Sequence, residues 1–269
     1  MIELDGAVVC VTGGARGIGR ATAAELSRRG ARVWIGDLDE HEASRTGAEI
    51  GVQATHLDVT KEESVRRFLA AASADGPVRM LVNNAGIMRL GPFVEQGLDG
   101  HHQEVAVNLG GVINGMHVFL PDMLARNCGH IVNVASMAAK VTTPGIAVYC
   151  ATKFAVAALS RAVRAEIAHT AVTVTTVLPA AVNTELTSGV ALDLQPTLQP
   201  EQVGRAIADT AHRPAHEITV PRWLAPIGTL EEAAPERLLQ AAKRFVTRSR
   251  PPGDYDDAAR RAYLDRLPR

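Results

Sequence analysis

Several features that mark particular classes of protein are scarce in this sequence. The chain has three cysteines, Cys10, Cys128 and Cys150, an odd number with no CxxC pair among them. We therefore expect no disulfide framework, and reduced thiols in a cytoplasmic protein are the prediction. The histidines show no spacing typical of metal ligands, so no metal site is predicted.

Long apolar runs and an excess of one charge are also missing. No uncharged apolar stretch reaches the ~18 residues needed to span a bilayer, and residues 1–5 lack the basic start of a signal peptide. The formal net charge of −1 gives no reason to expect nucleic acid as a partner. What remains is typical of a globular protein of 269 residues, and one domain over residues 1–269 is expected.

Short β-branched runs alternate with amphipathic or alanine-rich stretches along most of the chain. The alternation, with strands that are apolar on both faces, predicts an α/β fold: a Rossmann-type, doubly wound parallel sheet of about seven strands in a three-layer α/β/α arrangement. The predicted strands are residues 7–12, 32–35, 53–57, 80–83, 130–135, 172–178 and 217–220. The predicted helices include residues 17–29, 61–74, 99–126 and 147–169, and a capping box at residues 60–63 would start the second of these.

The first predicted strand leads directly into the stretch VTGGARGIGR. Gly13, Gly17 and Gly19 lie where a strand turns into a helix, and the missing β-carbons let the backbone approach a ligand closely. The helix then directs its free N–H groups towards an anion such as a pyrophosphate. Asp37, at the end of the second strand, is placed to accept hydrogen bonds from an adenosine ribose. Together these features predict dinucleotide binding.

Three motifs appear in a characteristic order: TGxxxGxG at residues 12–19, NNAG at 83–86, and Tyr149-xxx-Lys153. With them the sequence resembles the classical short-chain dehydrogenase/reductase (SDR) family over residues 5–184. The resemblance implies an NAD(P)-dependent oxidoreductase acting on CH–OH groups. It also implies a homodimer or homotetramer formed through the helices at residues 99–126 and 147–169.

The resemblance further implies a catalytic tetrad of Asn108, Ser136, Tyr149 and Lys153. Tyr149 would exchange a proton with the substrate, Ser136 would hold the substrate oxygen, Lys153 would bind the nicotinamide ribose, and Asn108 would anchor a water that relays protons. Other readings of these residues stay open. Asn108 could simply bond to backbone, Ser136 could cap a strand end, and Tyr149 and Lys153 could be a surface pair.

The pairing of a phenol with an amine carries a chemical expectation. Free tyrosine loses its proton near pH ~10, so a role near pH 7 requires about 4 kcal/mol of differential stabilisation of tyrosinate. We expect the Lys153 ammonium to lower the pKa of Tyr149, with a further contribution from the positive ring of an oxidised cofactor.

The resemblance also implies which residues contact the cofactor, from the glycine-rich turn to the segment after the sixth strand. They are Gly13, Arg16, Gly17, Ile18, Gly19, Asp37, Asp58, Val59, Asn84, Ala85, Gly86, Tyr149, Lys153, Pro179, Val182 and Thr184. Asp37 favours NAD, because its charge would face the extra phosphate of NADP. Arg16 occupies a position where NADP-using relatives often carry a basic residue, so NADP remains the alternative cofactor. Ala180 replaces the glycine usual in the family after Pro179, which puts the local backbone geometry in question.

The class of substrate is predicted from the apolar residues that follow the predicted strands. Met88, Leu90, Met137 and Val141 are apolar and follow predicted strands, which favours a lipophilic secondary alcohol or ketone of steroid, retinoid or terpene type. Residues 185–200 have the composition of a mobile lid over the substrate, with an ordinary surface loop as the alternative.

The C-terminal part, residues 222–269, departs from many family members and is predicted to be a helical extension of the same domain. Residues 230–248 form an amphipathic pattern there, suited to a lid or a subunit contact, with a membrane surface or another partner as the alternative. Two other functions remain open: an NADPH-dependent 3-ketoacyl-carrier reductase, and a non-catalytic nucleotide-sensing protein.

Overall fold

The computed structural model of the chain describes residues 1–189, 197–226 and 257–267. Its centre is a parallel sheet of seven strands in the order β3-β2-β1-β4-β5-β6-β7. The strands are β1 Val8–Thr12, β2 Arg32–Asp37, β3 Gln53–His56, β4 Val78–Asn83, β5 His130–Val134, β6 Thr173–Pro179 and β7 Glu217–Val220. The predicted Rossmann-type sheet is therefore confirmed, with strand ends shifted by one or two residues.

Helices cover both faces of the sheet. They are α1 Gly17–Arg28, α2 Glu40–Ile50, α3 Glu62–Ser73, α4 Leu98–Val105, α5 Gly111–Ala125, α6 Ala147–Glu166, α7 Pro200–His212 and α8 Asp257–Leu264. A single π-type turn, Ala106–Gly110, joins α4 to α5, so the predicted helix at residues 99–126 contains one wide turn. Within the described ranges, no helix is long and apolar enough to cross a membrane.

Alternating side chains of the buried strands build two apolar layers. Along β1, Val8 and Cys10 belong to the cluster covered by α3, α5 and α6, whereas Val9 and Val11 belong to the cluster covered by α1 and α7. A strand buried on both faces favours apolar residues without polar alternation, which explains the four apolar residues Val8–Val11 of β1. None of the three cysteines forms a disulfide.

The strand order creates a crevice at one edge of the sheet. β1 lies between β2 and β4, so the chain leaves β1 towards one side and β4 towards the other. In open α/β sheets, ligands bind outside the carboxyl ends of strands at such a switch point. The predicted site residues, of which Thr184 is the last along the chain, lie on or next to the elements that border this crevice.

Two local expectations are corrected. The predicted capping box is wrong: α3 begins after Lys61, which makes no side-chain cap bond, and the Thr60 hydroxyl donates to Asp58 instead (2.7 Å). Ala180 causes no strain, because among the described non-glycine residues only Asn127 has a positive φ. The alanine therefore needs none of glycine's conformational freedom at this position.

Part of the C-terminal and lid predictions falls outside the described residues. The helix expected at 230–248 lies wholly outside them, and so do residues 190–196 of the expected lid. Two local elements lie at the described ends of that segment. Val182 pairs with Leu198 in a single parallel bridge, and Glu185–Thr187 form a 3-10 turn.

The buried His130 makes the stability of the fold depend on pH. It is 1% exposed, and its two ring nitrogens hydrogen-bond to the hydroxyls of Thr173 (2.8 Å) and Thr210 (2.9 Å). Burial disfavours the charged ring and lowers the pKa of His130 from 6.5 to about 4. Below pH 6.5 the unfolded chain therefore binds a proton at this position that the folded chain does not.

We expect the free energy of unfolding to fall by about 2 kcal/mol between pH 6.5 and pH 5 on account of His130, because each unit of pH in this window is worth about 1.4 kcal/mol. Urea unfolding at pH 7, 6 and 5 measures the slope. His130→Asn should lose this part of the slope, whereas His117→Asn, at an exposed position of α5, should keep it. Equal slopes in wild type and His130→Asn would contradict the assignment.

Candidate active site

The glycine-rich turn after β1 is shaped by close backbone contacts. Gly13 and Gly17 have φ values of +63° and +51°, a region that favours glycine. A β-carbon on Gly13 would lie 2.7 Å from the Ala85 Cα, and one on Gly19 would collide with the Gly13 carbonyl oxygen. The cap residue Arg16 gives α1 no side-chain hydrogen bond. The first-turn N–H groups, with Ile18 among them, are therefore suited to an anionic ligand.

The NNAG motif holds this turn in place. The Thr12 hydroxyl accepts hydrogen bonds from the backbone N–H groups of Asn84 (3.0 Å) and Ala85 (3.1 Å). The Asn84 amide donates to the carbonyls of Thr12 (3.0 Å) and Gly13 (2.9 Å). The structure thus places the Asn84 side chain on the glycine turn, where it joins β1 to the loop after β4.

Asp37 and Arg16 have different surroundings. The Asp37 carboxylate accepts from the backbone N–H groups of Ala15 (3.1 Å) and Asp39 (3.2 Å), and burial raises its pKa above the ordinary value. Arg16 instead pairs with Asp39 (2.7 Å) and lies 3.6 Å from a Glu42 oxygen. Arg16 Nε also lies 3.7 Å from a Glu185 oxygen, so the guanidinium group is held by carboxylates on the α2 side and in the segment after β6.

Two expected adenine-side residues follow β3 at the same edge. The Asp58 carboxylate accepts from the backbone N–H (2.9 Å) and the hydroxyl of Thr60, which fixes its direction. The Val59 carbonyl accepts from the Asn114 amide at 2.9 Å. Thr60 thus orients the Asp58 carboxylate and does not cap α3.

Asn108 lies in the π-type turn and is fully buried. Its Oδ1 accepts from the Ile87 N–H (2.8 Å), and its Nδ2 donates to the Ile87 carbonyl (2.8 Å) and to the Thr152 hydroxyl (3.2 Å). The bonding of Asn108 to backbone, considered as an alternative from sequence, is therefore present. These bonds connect the π-type turn to the loop after β4 and to α6.

Tyr149 and Lys153 lie one turn apart on α6, and both are buried (8% and 4% exposed). The reading of the two as a surface pair is wrong. Lys153 Nζ donates to the Val134 carbonyl at the end of β5 (2.9 Å) and lies 5.5 Å from the centre of the Tyr149 ring. Ser136 follows β5, accepts from the Ala138 N–H (3.1 Å) and hydrogen-bonds with the Tyr149 side chain.

The expected lowering of the Tyr149 pKa does not occur in the chain alone. Burial raises the pKa of Tyr149 above its ordinary value, and the hydrogen bond from Ser136 only partly opposes this rise. Burial also lowers the pKa of Lys153 to about 8. Both shifts have the same cause, because removing water disfavours tyrosinate and ammonium alike.

Gly86 leaves open space between Asn108 and Lys153. A β-carbon on Gly86 would stand 3.2 Å from Asn108 Oδ1 and 3.6 Å from Lys153 Nζ. The two polar groups therefore border the same small volume, which a side chain at this position would fill.

The segment after β6 returns to the glycine turn. Pro179 ends β6 beside Val220, and Val182 pairs with Leu198. A β-carbon on Gly17 would lie 3.2 Å from the Thr184 methyl group, so Thr184 faces the start of α1. Pro179, Val182 and Thr184 thus lie at the same sheet edge as the residues after β1 and β4.

Three residues near this site were missed from the sequence. Arg260 and Tyr263 of α8 contact the backbone of Met88, and Glu104 of α4 is buried near them. Motif spacing could not find the first two, because they lie far along the chain from the family motifs. The burial of Glu104 is equally invisible in a polar stretch such as GHHQEV.

Comparisons of the sequence with known proteins find a family profile and similar relatives. Residues 7–195 match the sequence profile described as short chain dehydrogenase. The chain is 38% identical over 198 residues to 2,5-dichloro-2,5-cyclohexadiene-1,4-diol dehydrogenase of Sphingobium indicum, covering 71% of this chain and 79% of that protein.

Two solved structures have the same fold. A short chain dehydrogenase/reductase from Burkholderia phymatum in complex with NAD has a TM-score of 0.78 and 27% identity, covering 86% of this chain and 94% of that one. The 3-ketoacyl-(acyl-carrier-protein) reductase from Brucella melitensis, complexed with NADH, has a TM-score of 0.76 and 29% identity, covering 81% and 97%. The chain therefore belongs to the short chain dehydrogenase family of oxidoreductases.

Proposed function

We propose that this protein transfers a hydride between a nicotinamide cofactor and a lipophilic secondary alcohol or ketone, with Tyr149 as its acid and base. The observation that carries the proposal is the meeting of Ser136, Tyr149 and Lys153 beside the glycine turn, in a buried site. A bound nicotinamide would supply the hydride carrier and, when oxidised, a positive charge.

The chain's own residues fit such a cofactor. The glycine turn and the first turn of α1 would receive the pyrophosphate, since the glycines bring no β-carbon to the turn and the helix start has no side-chain cap. Asp37 would accept from the adenosine ribose hydroxyls, and Asp58 from the adenine amino group. Lys153 would bind the nicotinamide ribose, and Thr184 the carboxamide.

Tyr149 would take the alcohol proton during oxidation and return it during ketone reduction. In the chain alone burial raises its pKa, so the phenol is protonated and suited to be the acid. Becoming the base requires added positive charge close to the ring. Ser136 would donate a hydrogen bond to the substrate oxygen and stabilise the charge that develops there.

Lys153 would pass the proton onward. With a pKa of about 8, its amine can exist in both protonation states near neutral pH. Because the Asn108 amide is already bonded to Ile87 and Thr152, Asn108 would act by bordering the space next to Gly86, where one water could join it to Lys153.

NAD is the cofactor we propose, rather than NADP. The buried Asp37 would oppose a 2′-phosphate, and Arg16 is already held by Asp39 and Glu42. The two solved structures with this fold support the same choice, because one is described with NAD and the other with NADH.

A lipophilic substrate is proposed from the lining of the crevice. Met88 is buried in the loop after β4, and Leu90, Met137 and Val141 are half-buried after β4 and β5. The relative from Sphingobium indicum is named for a chlorinated cyclic diol, which is a substrate of this kind. The similarity to a 3-ketoacyl reductase favours a second candidate, a ketoacyl thioester substrate.

Tyr149→Phe is expected to lower turnover by at least about 10²-fold, because the variant has no proton to exchange. The assay measures kcat and KM with NAD across steroid, retinoid, terpene and polyol alcohols, and with NADH and a 3-ketoacyl thioester. NADH affinity, followed by fluorescence, should stay within about threefold of wild type. Trp223→Phe, on an exposed aromatic residue, is the control and should be fully active. An active Tyr149→Phe enzyme would refute the assignment, and faster turnover of the thioester would favour the second candidate.

The cofactor assignment predicts a ratio of kcat/KM for NAD over NADP of at least about 100, since like charges in contact cost several kcal/mol. Asp37→Asn should reduce this ratio about tenfold or more by removing the charge. Asp99→Asn, which removes a charge from an exposed residue of α4, should leave the ratio unchanged. A wild-type preference for NADP would overturn the choice.

Gly86→Ala tests the proposed proton relay from Lys153 through a water beside Asn108. The added methyl group would occupy the space between Asn108 and Lys153. We expect kcat to fall by about tenfold or more, with little change in NADH affinity. Gly97→Ala is the matched control, since its added carbon meets nothing within 4 Å and its φ is −66°. Wild-type kcat in a folded Gly86→Ala enzyme would argue against a water at this position.

A further inference from the structure

The C-terminal helix α8 joins two walls of the substrate side of the crevice. Tyr263 Oη accepts a hydrogen bond from the Met88 N–H (3.0 Å), in the loop after β4. Arg260 donates to the Met88 carbonyl, to the Leu186 carbonyl (2.6 Å) and to the Ser188 carbonyl (3.4 Å), in the segment after β6. The two loops that border the substrate region are therefore bridged by one guanidinium group.

Arg260 also fixes the ring of Tyr263. Its guanidinium carbon lies 4.2 Å from the centre of that ring, and the arginine is 1% exposed. The nearby Glu104 is 1% exposed and carries the opposite charge, which Arg260 partly compensates. A ring held between backbone bonds and a buried cation has little freedom to rotate, so its hydroxyl has a defined direction.

The Tyr263 hydroxyl retains an unused donor. It accepts from Met88, but among the described residues no acceptor receives its proton. Tyr263 is 8% exposed. It is also close enough to Tyr149 to raise the pKa of that phenol. A buried hydroxyl beside a candidate active site, with its proton unpaired, is suited to hydrogen-bond a ligand.

The partner of this donor differs from the reacting oxygen, because in the proposed function Tyr149 and Ser136 supply two hydroxyls for that atom. A third hydroxyl, placed on a different element, serves a second acceptor. We propose that Tyr263 is a specificity-determining residue whose phenolic proton binds a second oxygen of the substrate, remote from the reacting carbon. The favoured substrates are then apolar secondary alcohols or ketones that carry a further hydroxyl or carbonyl group. This inference rests on the proposed function.

The test compares ketones that differ only in a remote hydroxyl. The pairs are cyclohexanone with 4-hydroxycyclohexanone, 2-octanone with 7-hydroxy-2-octanone, and androstan-17-one with 3-hydroxyandrostan-17-one, each reduced with NADH. We expect wild type to prefer the hydroxylated member of at least one pair about tenfold in kcat/KM, since the analogue leaves the buried hydroxyl unpaired. Tyr263→Phe keeps the ring and its contact with Arg260, and it should abolish this preference while retaining turnover of the plain ketone.

Controls separate this inference from the proposed function. Trp223→Phe should keep the wild-type preference, and a thermal melt checks that Tyr263→Phe is folded. The role of Tyr263 is overturned if wild type and Tyr263→Phe prefer the hydroxylated ketone equally in kcat/KM. It is also overturned if the variant loses the same factor in kcat/KM on both ketones of a pair. Neither outcome affects the Tyr149 assignment. If wild type binds NADH but reduces none of the six ketones, the lipophilic substrate class itself fails, and the inference fails with it.

Discussion

The buried ammonium group of Lys153 is the constraint on which the candidate active site depends. A charged amine out of water is costly unless it is hydrogen-bonded, and Nζ donates to the Val134 carbonyl at the end of β5. That bond ties α6 to β5. Because Tyr149 lies one turn before Lys153 and Ser136 lies two residues after Val134, the same bond brings the two hydroxyls together. Burial also lowers the pKa of the amine to about 8, so the hydrogen bond places the group and the loss of water tunes its proton affinity.

The glycine turn depends in the same way on its neighbours. Gly13 can approach Ala85 closely because it has no β-carbon, and the Thr12 hydroxyl and Asn84 amide then hold the two loops together. The uncapped start of α1 is thereby kept next to the loop that carries Gly86. Beside this turn, Arg16 pairs with Asp39 and lies near Glu42 and Glu185, whereas the Asp37 carboxylate accepts a hydrogen bond from the Ala15 N–H.

Much of the fold was predictable because a doubly covered sheet favours apolar residues on both faces of its strands, as in the four buried apolar residues that begin β1. In β5 the buried His130 and Asn133 are instead satisfied by side-chain hydrogen bonds. Local patterns were less reliable where two partners compete for one group. Thr60 could cap α3 or orient Asp58, and the second bond forms. The long helix at residues 99–126 contains a π-type turn at Asn108, a distortion that helix periodicity does not reveal.

By itself the sequence determined the α/β class, the parallel sheet and the glycine turn, because these follow from residue type and spacing along the chain. The four polar residues of the tetrad were identified through the resemblance to a known family. Only the tertiary structure decided the environment of those residues: the raised pKa of the Tyr149 phenol, the ion pairing of Arg16, and the approach of Arg260 and Tyr263 from the far end of the chain. Burial and long-range contacts depend on how distant segments pack, and spacing along a chain carries no information about the water that packing removes.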